Sequence, residues 1–582
     1  MKGKFQYIEK VTKQSLSILY KLDSCPKLDF QYTKKEYPGD ITLILFSLSK
    51  KLKQPVEKIG NSIGNYVQNQ LGGLISFSII GGFLNFIFKD GYYIHLLKRM
   101  LNNNFYYNLK SSSENIMIEY SSPNANKPLH LGHIRNSLIG FSISEILKMI
   151  GHKITKVQII NDRGIHICKS MIAWKKLGEG KTPDSTGMKG DHFVGRYYSL
   201  FDKIYHNQYK KNSKPKKIVP ILKEARNLLK KWESGDIETM NIWKKMNKWV
   251  YDGFKKTYKK LGITFDKVEY ESNVYEIGKN IVINGLEKGI FFKKEDGSIW
   301  VNLEKEGFDE KLLLRSDETS VYITQDIGTA VERFRKYSID QLIYIVGEEQ
   351  DYHFKVLFRI LKHLGYVWVK KLSHLSYGMV DLPSGKMESR KGNIIDADSY
   401  ILEIISMAKK KLSNNFSNKK KEKYAEVIGL GALKYNFLQV DPKKRIIFHP
   451  EKSMDFSGKT GTYIQYAYSR IRSLERKFLD LCSLTNEDWS NAKLDVYEKN
   501  MIKIIQKYPL ILKKSAMDLN PSLVANYVYD VAKIFNHLYQ NKKLIDPLDI
   551  LHSNIRMNII HVTGNILKSG MSLLGIKMLD HM

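Results

Sequence analysis

His130 and His133 stand three residues apart in the stretch EYSSPNANKPLHLGH (119–133), where a Pro/Asn-rich loop runs into an apolar segment of helical periodicity. At that spacing both imidazoles lie on one side of a helix start. The free N–H groups and the dipole of a helix N-terminus favour phosphate. Two imidazoles add hydrogen-bond donors that strengthen as charge builds in a transition state. Gly132 leaves a flat adenine ring free to approach the backbone. HxGH alone is short enough to arise by accident, and a polar loop with two surface histidines stays open as its reading. A second candidate, GKMESRKG (385–392), carries Lys386 and Arg390 between glycines. Such a loop can neutralise a triphosphate and its leaving pyrophosphate, although a basic loop by itself reads as solvated surface. Together the two describe in-line displacement at phosphorus, which is mostly positioning and charge neutralisation.

The flanking elements suit that chemistry. Residues 116–120 read as a strand, 134–150 as a helix and 156–160 as a second strand ending at NDRG (161–164). Strand, loop, helix, strand is the unit of a parallel nucleotide-binding sheet. Residues at about 170–265 are Lys-rich and helical, as an insertion into that fold would be, and strands are expected again near 298–301, 321–324 and 341–346. Past residue 400 the strand signal fades, and from Gly461 onward apolar residues recur at helical spacing, predicting a helical bundle. Before the sheet, the charge-free run 71–88 contains two Gly-Gly pairs among β-branched and aromatic residues, which predicts two buried strands rather than a membrane helix. The polar residues 102–104 and 111–113 read as a linker.

A chain of 582 residues exceeds one hydrophobic core, so three or four domains are expected. The formal net charge of +33 favours a polyanionic partner through counterion release, with drift toward Lys and Asn as the competing explanation. Cys25, Cys168 and Cys482 are far apart, which argues against disulfides and a zinc ribbon and fits a reducing cytoplasm. The opening MKGKFQYIEK lacks the form of a signal peptide.

HLGH and KMESR resemble the two signature motifs of class I aminoacyl-tRNA synthetases. SSPNANKPLHLGHIRNSLIG, NDRGIHICKSM, RSDETSVYITQDIGTA, YGMVDLPSGKMESRKGNIIDAD, GTYIQYAYSRIRS and the ending MSLLGIKMLDHM are similar to the arginyl-tRNA synthetases in particular. The resemblance runs from about residue 115 to the end, and more loosely over the first 110 residues. It implies an α/β fold: a Rossmann-type parallel-sheet catalytic domain, an α+β N-terminal domain and an all-α anticodon-binding bundle. The boundaries it suggests are an N-terminal domain over 1–112 that binds the tRNA elbow, a catalytic domain over 113–395, stem helices over 396–455 and an anticodon-binding domain over 456–582. The implied reaction is activation of L-arginine by Mg2+-ATP to arginyl-adenylate, then transfer to the 3′-terminal adenosine of tRNA(Arg). No tightly bound metal or organic cofactor is implied, and the family suggests a cytoplasmic monomer that binds neither membrane nor DNA.

Residue by residue, the resemblance assigns catalysis to His130, His133, Lys127, Lys386 and Arg390, and ATP contacts also to Pro128, Gly132, Met387 and Ser389. Arginine contacts fall on Glu119, Ser122, Asn124, Tyr322, Asp326, Gln350 and His353, because a guanidinium needs carboxylates set to receive a fork. Tyr463, Tyr466, Arg470 and Met582 are expected on the tRNA; Gln465 and Tyr468 lie in the same aromatic and cationic stretch, which reads equally as a core stripe. Two departures matter. Many family members lack the first lysine of the second motif and rely on a lysine upstream of HxGH, whereas this chain has both Lys127 and Lys386; the second lysine of the class pattern is Arg390 here. A cysteinyl enzyme would need a zinc–thiolate site. A nucleotidyltransferase would lack the C-terminal bundle, and a catalytically dead RNA-binding paralogue would not keep both motifs intact.

Overall fold

A computed structural model of the protein describes residues 2–22, 26–34, 36–102, 113–210, 219–381, 396–412, 416–455, 457–481, 488–489 and 491–582. The basic loop with Lys386, Met387, Ser389 and Arg390 lies outside these, as do Cys25, Cys482 and most of the linker expected at 102–113.

The amino-terminal unit is a four-stranded antiparallel sheet of β1 (Phe30–Tyr32), β2 (Ile41–Ile44), β3 (Ile75–Ile80) and β4 (Phe83–Phe88), in the order β1-β2-β4-β3. The run 71–88 forms β3 and β4, as its composition predicts. Its hairpin turn places Gly81 and Gly82 at φ +54 and +84, the pair of left-handed positions a two-residue turn requires. Helices Lys2–Tyr20, Val56–Gln70 and Asp90–Leu101 accompany the sheet. This unit docks on the carboxy-terminal bundle. Lys503 Nζ is 2.6 Å from Asp40, Lys499 Nζ is 2.6 Å from Asp90, and Lys98 lies over the Trp489 ring.

The central sheet is parallel throughout. It contains β5 (Asn115–Glu119), β6 (Lys153–Ile160) and β7 (Lys267–Tyr270). A separate antiparallel sheet, β8 (Phe292–Lys293), β9 (Ile299–Val301) and β10 (Lys311–Leu314), precedes the last two parallel strands, β11 (Gln341–Gly347) and β12 (Leu372–Tyr377). The order β12-β11-β5-β6-β7 makes β5 the middle strand, with β6 on one side and the later β11 on the other. Its residues Ile116, Met117 and Ile118 are buried, as a strand covered on both faces requires. The order in which strands are laid down reverses between β5 and β11, and in open α/β sheets ligands bind outside the carboxyl ends of the strands at such a switch point. A short parallel pair, β13 (Val380–Asp381) and β14 (Ile446–Ile447), leads away from the sheet.

Residues 321–324, expected as a strand, instead open the helix Tyr322–Lys336; only Val321 is extended, as its N-cap. Ile323, Ile327 and Ala330 are buried at helical spacing, and the Thr324 hydroxyl donates to the Leu313 carbonyl of β10. Packing against β10 overrides the local β-branched preference. The insertion between β6 and β7 is helical as expected: Ile165–Leu177, Pro183–Thr186, Gly190–Lys210, Pro220–Glu233 and Ile237–Leu261. Ile221, Ala225, Leu228 and Trp232 show why, forming one buried stripe at helical spacing. Stem helices Ala397–Lys411 and Asn418–Leu438 connect to a bundle of Gly461–Leu481, Val496–Ile505, Tyr508–Met517, Ser522–Asn541 and Ile550–Leu573. Among the described residues, no helix is long and apolar enough to cross a membrane.

Candidate active site

The chain leaves β5 through a sharp bend. Ser121 sits at φ +57, a conformation held by Asn136, whose Oδ1 accepts from Ser121 N at 2.6 Å. The Asn136 amide donates at 2.7 Å to Ile345 O of β11, so one side chain bridges the two strands of the switch point. Asn124 then pairs in parallel with Asn161 beyond β6. The helix Leu131–Met149 begins where this loop ends, with His130 as its N-cap.

That cap fixes the tautomers of both histidines. His130 Nδ1 accepts from Gly132 N at 3.1 Å, and His133 Nδ1 accepts from His130 N at 3.2 Å. A neutral imidazole that accepts at Nδ1 carries its proton on Nε2, so both rings turn an Nε2–H donor away from the backbone. The ring centroids are 3.8 Å apart. Burial first, and then the Lys127 charge, lowers the His130 pKa to about 4. Burial, His130 and Lys127 hold His133 well below its ordinary value. Both are therefore neutral donors at pH 7. Burial also lowers the Lys127 pKa. A Cβ on Gly132 would stand 3.0 Å from the His130 ring, so the missing side chain makes room for the imidazole itself. Pro128 packs on the insertion, where a Cβ on Gly195 would meet it at 2.7 Å.

Arg135, on the same helix, is fully buried and donates to the carbonyls of Gly378, Met379, Asp441, Pro442 and Lys444. Nε is buried without a hydrogen-bond partner, and the two terminal nitrogens are held, without a carboxylate, by these five carbonyls. They tie the histidine helix to both chain segments of the β13–β14 region.

Beside the switch point lies an acidic cluster. Asp326 Oδ2 is 2.6 Å from His353 Nε2, so the structure joins these two predicted residues. Tyr322 is exposed one turn earlier on the same helix, and Gln350 is exposed on the turn after β11. Glu119 is more occupied than the sequence suggests. Its Oε1 accepts from Ser122 at 3.1 Å, and its Oε2 accepts from the buried Arg333, which also donates to Glu269 at 2.8 and 2.9 Å. Burial alone would favour a neutral guanidinium, but Glu119 and then Glu269 hold the Arg333 pKa above the ordinary arginine value.

Sequence reasoning missed Glu271. It is 4% exposed, its Oε2 is buried without a hydrogen-bond partner, and its pKa is pushed up to about 8. Burial is the main cause; Arg163 opposes it, while Asp162 and Asp326 add to it. Arg163 is itself packed over Tyr275 and Trp232 and paired with Glu233 at 2.7 Å. A buried carboxyl with one unpartnered oxygen, beside a half-exposed Asp326, is suited to a cationic ligand. The signal for it in the sequence is the alternating KVEYES run (267–272), in which Glu269 and Glu271 recur two residues apart.

In the bundle, Arg470 lies over the rings of Tyr466 and Tyr539 and donates to Asn536 at 3.0 Å, leaving an exposed aromatic–cation face. Tyr463 is part-buried against Tyr529, and Met582 is part-buried against the main hydrophobic core. Gln465 and Tyr468 are buried; Gln465 donates to Lys577 O at 2.8 Å, which removes both from any RNA-facing surface.

Comparison with known proteins agrees with this layout. Residues 96–449 match the model of the class I (R) tRNA synthetase catalytic domain, and residues 464–582 match the DALR anticodon binding domain. The chain is 46% identical to an arginine–tRNA ligase of Flavobacterium psychrophilum, covering 96% of each chain. It is 44% identical to one from Bacteroides fragilis, covering 97% of this chain and 98% of that one. Among solved structures, its fold is similar to the arginyl-tRNA synthetase of Thermus thermophilus, with a TM-score of 0.76 at 22% identity over 99% of this chain and 100% of that one.

Proposed function

The chain belongs to the arginine–tRNA ligase family of class I synthetases, which perform ATP-dependent aminoacylation of tRNA(Arg), and on that premise we propose how its residues divide the reaction. ATP enters as its magnesium complex. The Nε2–H donors of His130 and His133 meet phosphoryl oxygens as the arginine carboxylate attacks the α-phosphate. Lys127, with a lowered pKa beside them, adds positive charge, and Lys386 and Arg390 neutralise the leaving pyrophosphate. Pro128, Gly132, Met387 and Ser389 bound the nucleotide. The observation that carries this reading is the pair of tautomer-locked, neutral histidines at the switch point. Such fixed donors need no reorganisation as charge develops.

The substrate guanidinium goes to Asp326, held by His353, and to Glu271, with Tyr322 at the mouth. Ser122, Asn124 and Gln350 take the amino and carboxylate end, beside Glu119. Tyr463, Tyr466, Arg470 and Met582 form the face for the anticodon loop, and the amino-terminal unit meets the tRNA elbow.

Arginine-dependent ATP–pyrophosphate exchange, measured with and without tRNA and with lysine as control, tests the proposal. Exchange is expected with arginine only. Asp326→Ala should raise the arginine KM by about 10²-fold, the cost of ~2–3 kcal/mol for one lost charge-assisted bond, with the ATP KM unchanged. An unaltered arginine KM would remove Asp326 from the pocket.

Glu271 adds a pH signature. A bound guanidinium favours its ionised form, so arginine binding releases a proton from a group whose pKa in the free protein is about 8. Affinity should therefore rise with pH through that value and level off above it. Glu271→Gln should flatten the profile, and a wild-type arginine Kd constant between pH 7 and pH 9 would contradict the assignment.

A further inference from the structure

The insertion carries a cluster that the reaction above does not use. Asp191, His192 and Asp398 bring ligand atoms within 4.8 Å of one another, close enough to surround a cation. Its cation is already present. Lys189 Nζ donates to Asp191 Oδ2 at 2.9 Å, Asp398 Oδ2 at 2.6 Å and Thr257 Oγ1 at 2.6 Å, which uses all three of its protons. The Thr257 hydroxyl donates to Asp398 Oδ1 at 3.0 Å, and His192 Nε2 lies 2.9 Å from Asp398 Oδ2. Asp191 is fully buried, and a Cβ on Gly253 would run into its carboxylate. The two insertion helices Gly190–Lys210 and Ile237–Leu261 are thus bolted to the start of the stem helix Ala397–Lys411.

That stem start touches the signature loop directly. Ala397 N donates to Leu129 O at 2.8 Å, and Asp396 bridges His130 in antiparallel fashion. Asp396 also caps the stem helix through Ser399 N at 2.9 Å. From the other side, Gly195 packs on Lys127 and Pro128. The segment that aims His130 is therefore gripped by insertion and stem, which meet at Lys189, at Thr257 and at His192, whose Nε2 also lies 3.6 Å from Asp396.

We propose that Lys189 is a positioning residue for the signature histidines: its ammonium occupies the place of a structural metal ion and makes the helical insertion the support of residues 127–133. The consequence for rate rests on the role given above to His130 and His133; the consequence for structure does not.

The test uses the full chain with Lys189→Ala. Adenylate formation should slow by about 10²-fold, the scale of an ångström-sized misplacement of catalytic groups, with the arginine and ATP KM values little changed. n-Propylamine replaces the deleted atoms, so millimolar amounts should restore much of the rate. Amide hydrogen exchange of residues 127–133 should accelerate in the variant and slow again with the amine. Unchanged exchange at 127–133 would overturn the proposal whatever the rate does. Faster exchange with an unchanged rate would uphold the clamp and overturn the role of His130. Should Lys189→Ala fail to fold, Thr257→Val, which removes one acceptor of the ammonium and one donor to Asp398, decides by the same two readouts.

Discussion

Replacing His133 with asparagine is expected to slow adenylate formation by about 10²–10³-fold, the cost of losing one preorganised donor to a charged transition state. The substitution is chosen from the cap geometry. Asparagine can still accept from His130 N in place of Nδ1, so the helix start survives while the outward Nε2–H is lost. His133→Gln, whose amide reaches the Nε2 position, should recover part of the rate. His130→Asn should show the same loss, and the double variant little more, because the two rings act on one charge. The wild-type rate should have no acid limb near pH 6.5, since the His130 pKa lies at about 4 and that of His133 is also depressed. Presteady-state rates between pH 5.5 and pH 8 check this. A rate that falls as pH rises through 6.5, and no longer does so in His130→Asn, would mean that the rings work as cations.

The second large effect is on stability. Arg333→Leu should destabilise the catalytic unit by about 3–5 kcal/mol, the range for breaking a buried ion pair from one side. The Arg333 side chain is 1% exposed and that of Glu119 is 8% exposed, so neither partner can turn to water. Adding Glu119→Gln should recover much of the loss, because the orphan charge, more than the missing contact, carries the cost. The sign with pH is fixed. An unpaired buried carboxylate takes up a proton more readily than in the unfolded chain, so the variant's deficit should shrink as pH falls from 8 toward 5. Urea unfolding followed by tryptophan fluorescence at the two ends of that range measures it. A deficit independent of pH would assign the cost to lost packing instead.

The histidine half of the site was legible because its determinants are local. A Pro/Asn loop, a glycine and helical periodicity lie within one stretch of chain, and they specify a helix start with two imidazoles on it. The parallel sheet followed from β5 and β6, whose apolar runs are short and bounded by turn residues. The acidic pocket was legible only where family words named residues. Arg333 meets Glu119 across 214 residues of sequence and Glu269 across 64, so no window shows the network. The Lys189 clamp likewise draws on residues 189, 191, 192, 257 and 398, each ordinary where it stands. Residues 321–324 misled in the opposite direction: four residues of strand-like character were outvoted by the three-dimensional surface that Ile323 and Ile327 had to cover. In GTYIQYAYSR (461–470), helical spacing did not distinguish the buried Tyr468 from the exposed Tyr466, since both lie on a helix and only the neighbouring helices decide.

The docking of the amino-terminal unit on the bundle joins residues made early in synthesis to residues made late. At ~5–20 residues per second, roughly 20–80 s separate the appearance of Asp90 from that of Lys499. The amino-terminal unit buries Ile41, Leu43, Leu84 and Phe86 in its sheet, in a core that runs on into the bundle. Its docking face must then wait in solvent for a partner that does not yet exist. Asp40 and Asp90, unneutralised during that interval, keep the waiting face hydrated, and the later arrival of Lys499 and Lys503 turns the same two charges into the attachment. A ribosome that stalls before the helix Val496–Ile505 therefore leaves a nascent chain whose first unit lacks the surface it docks on.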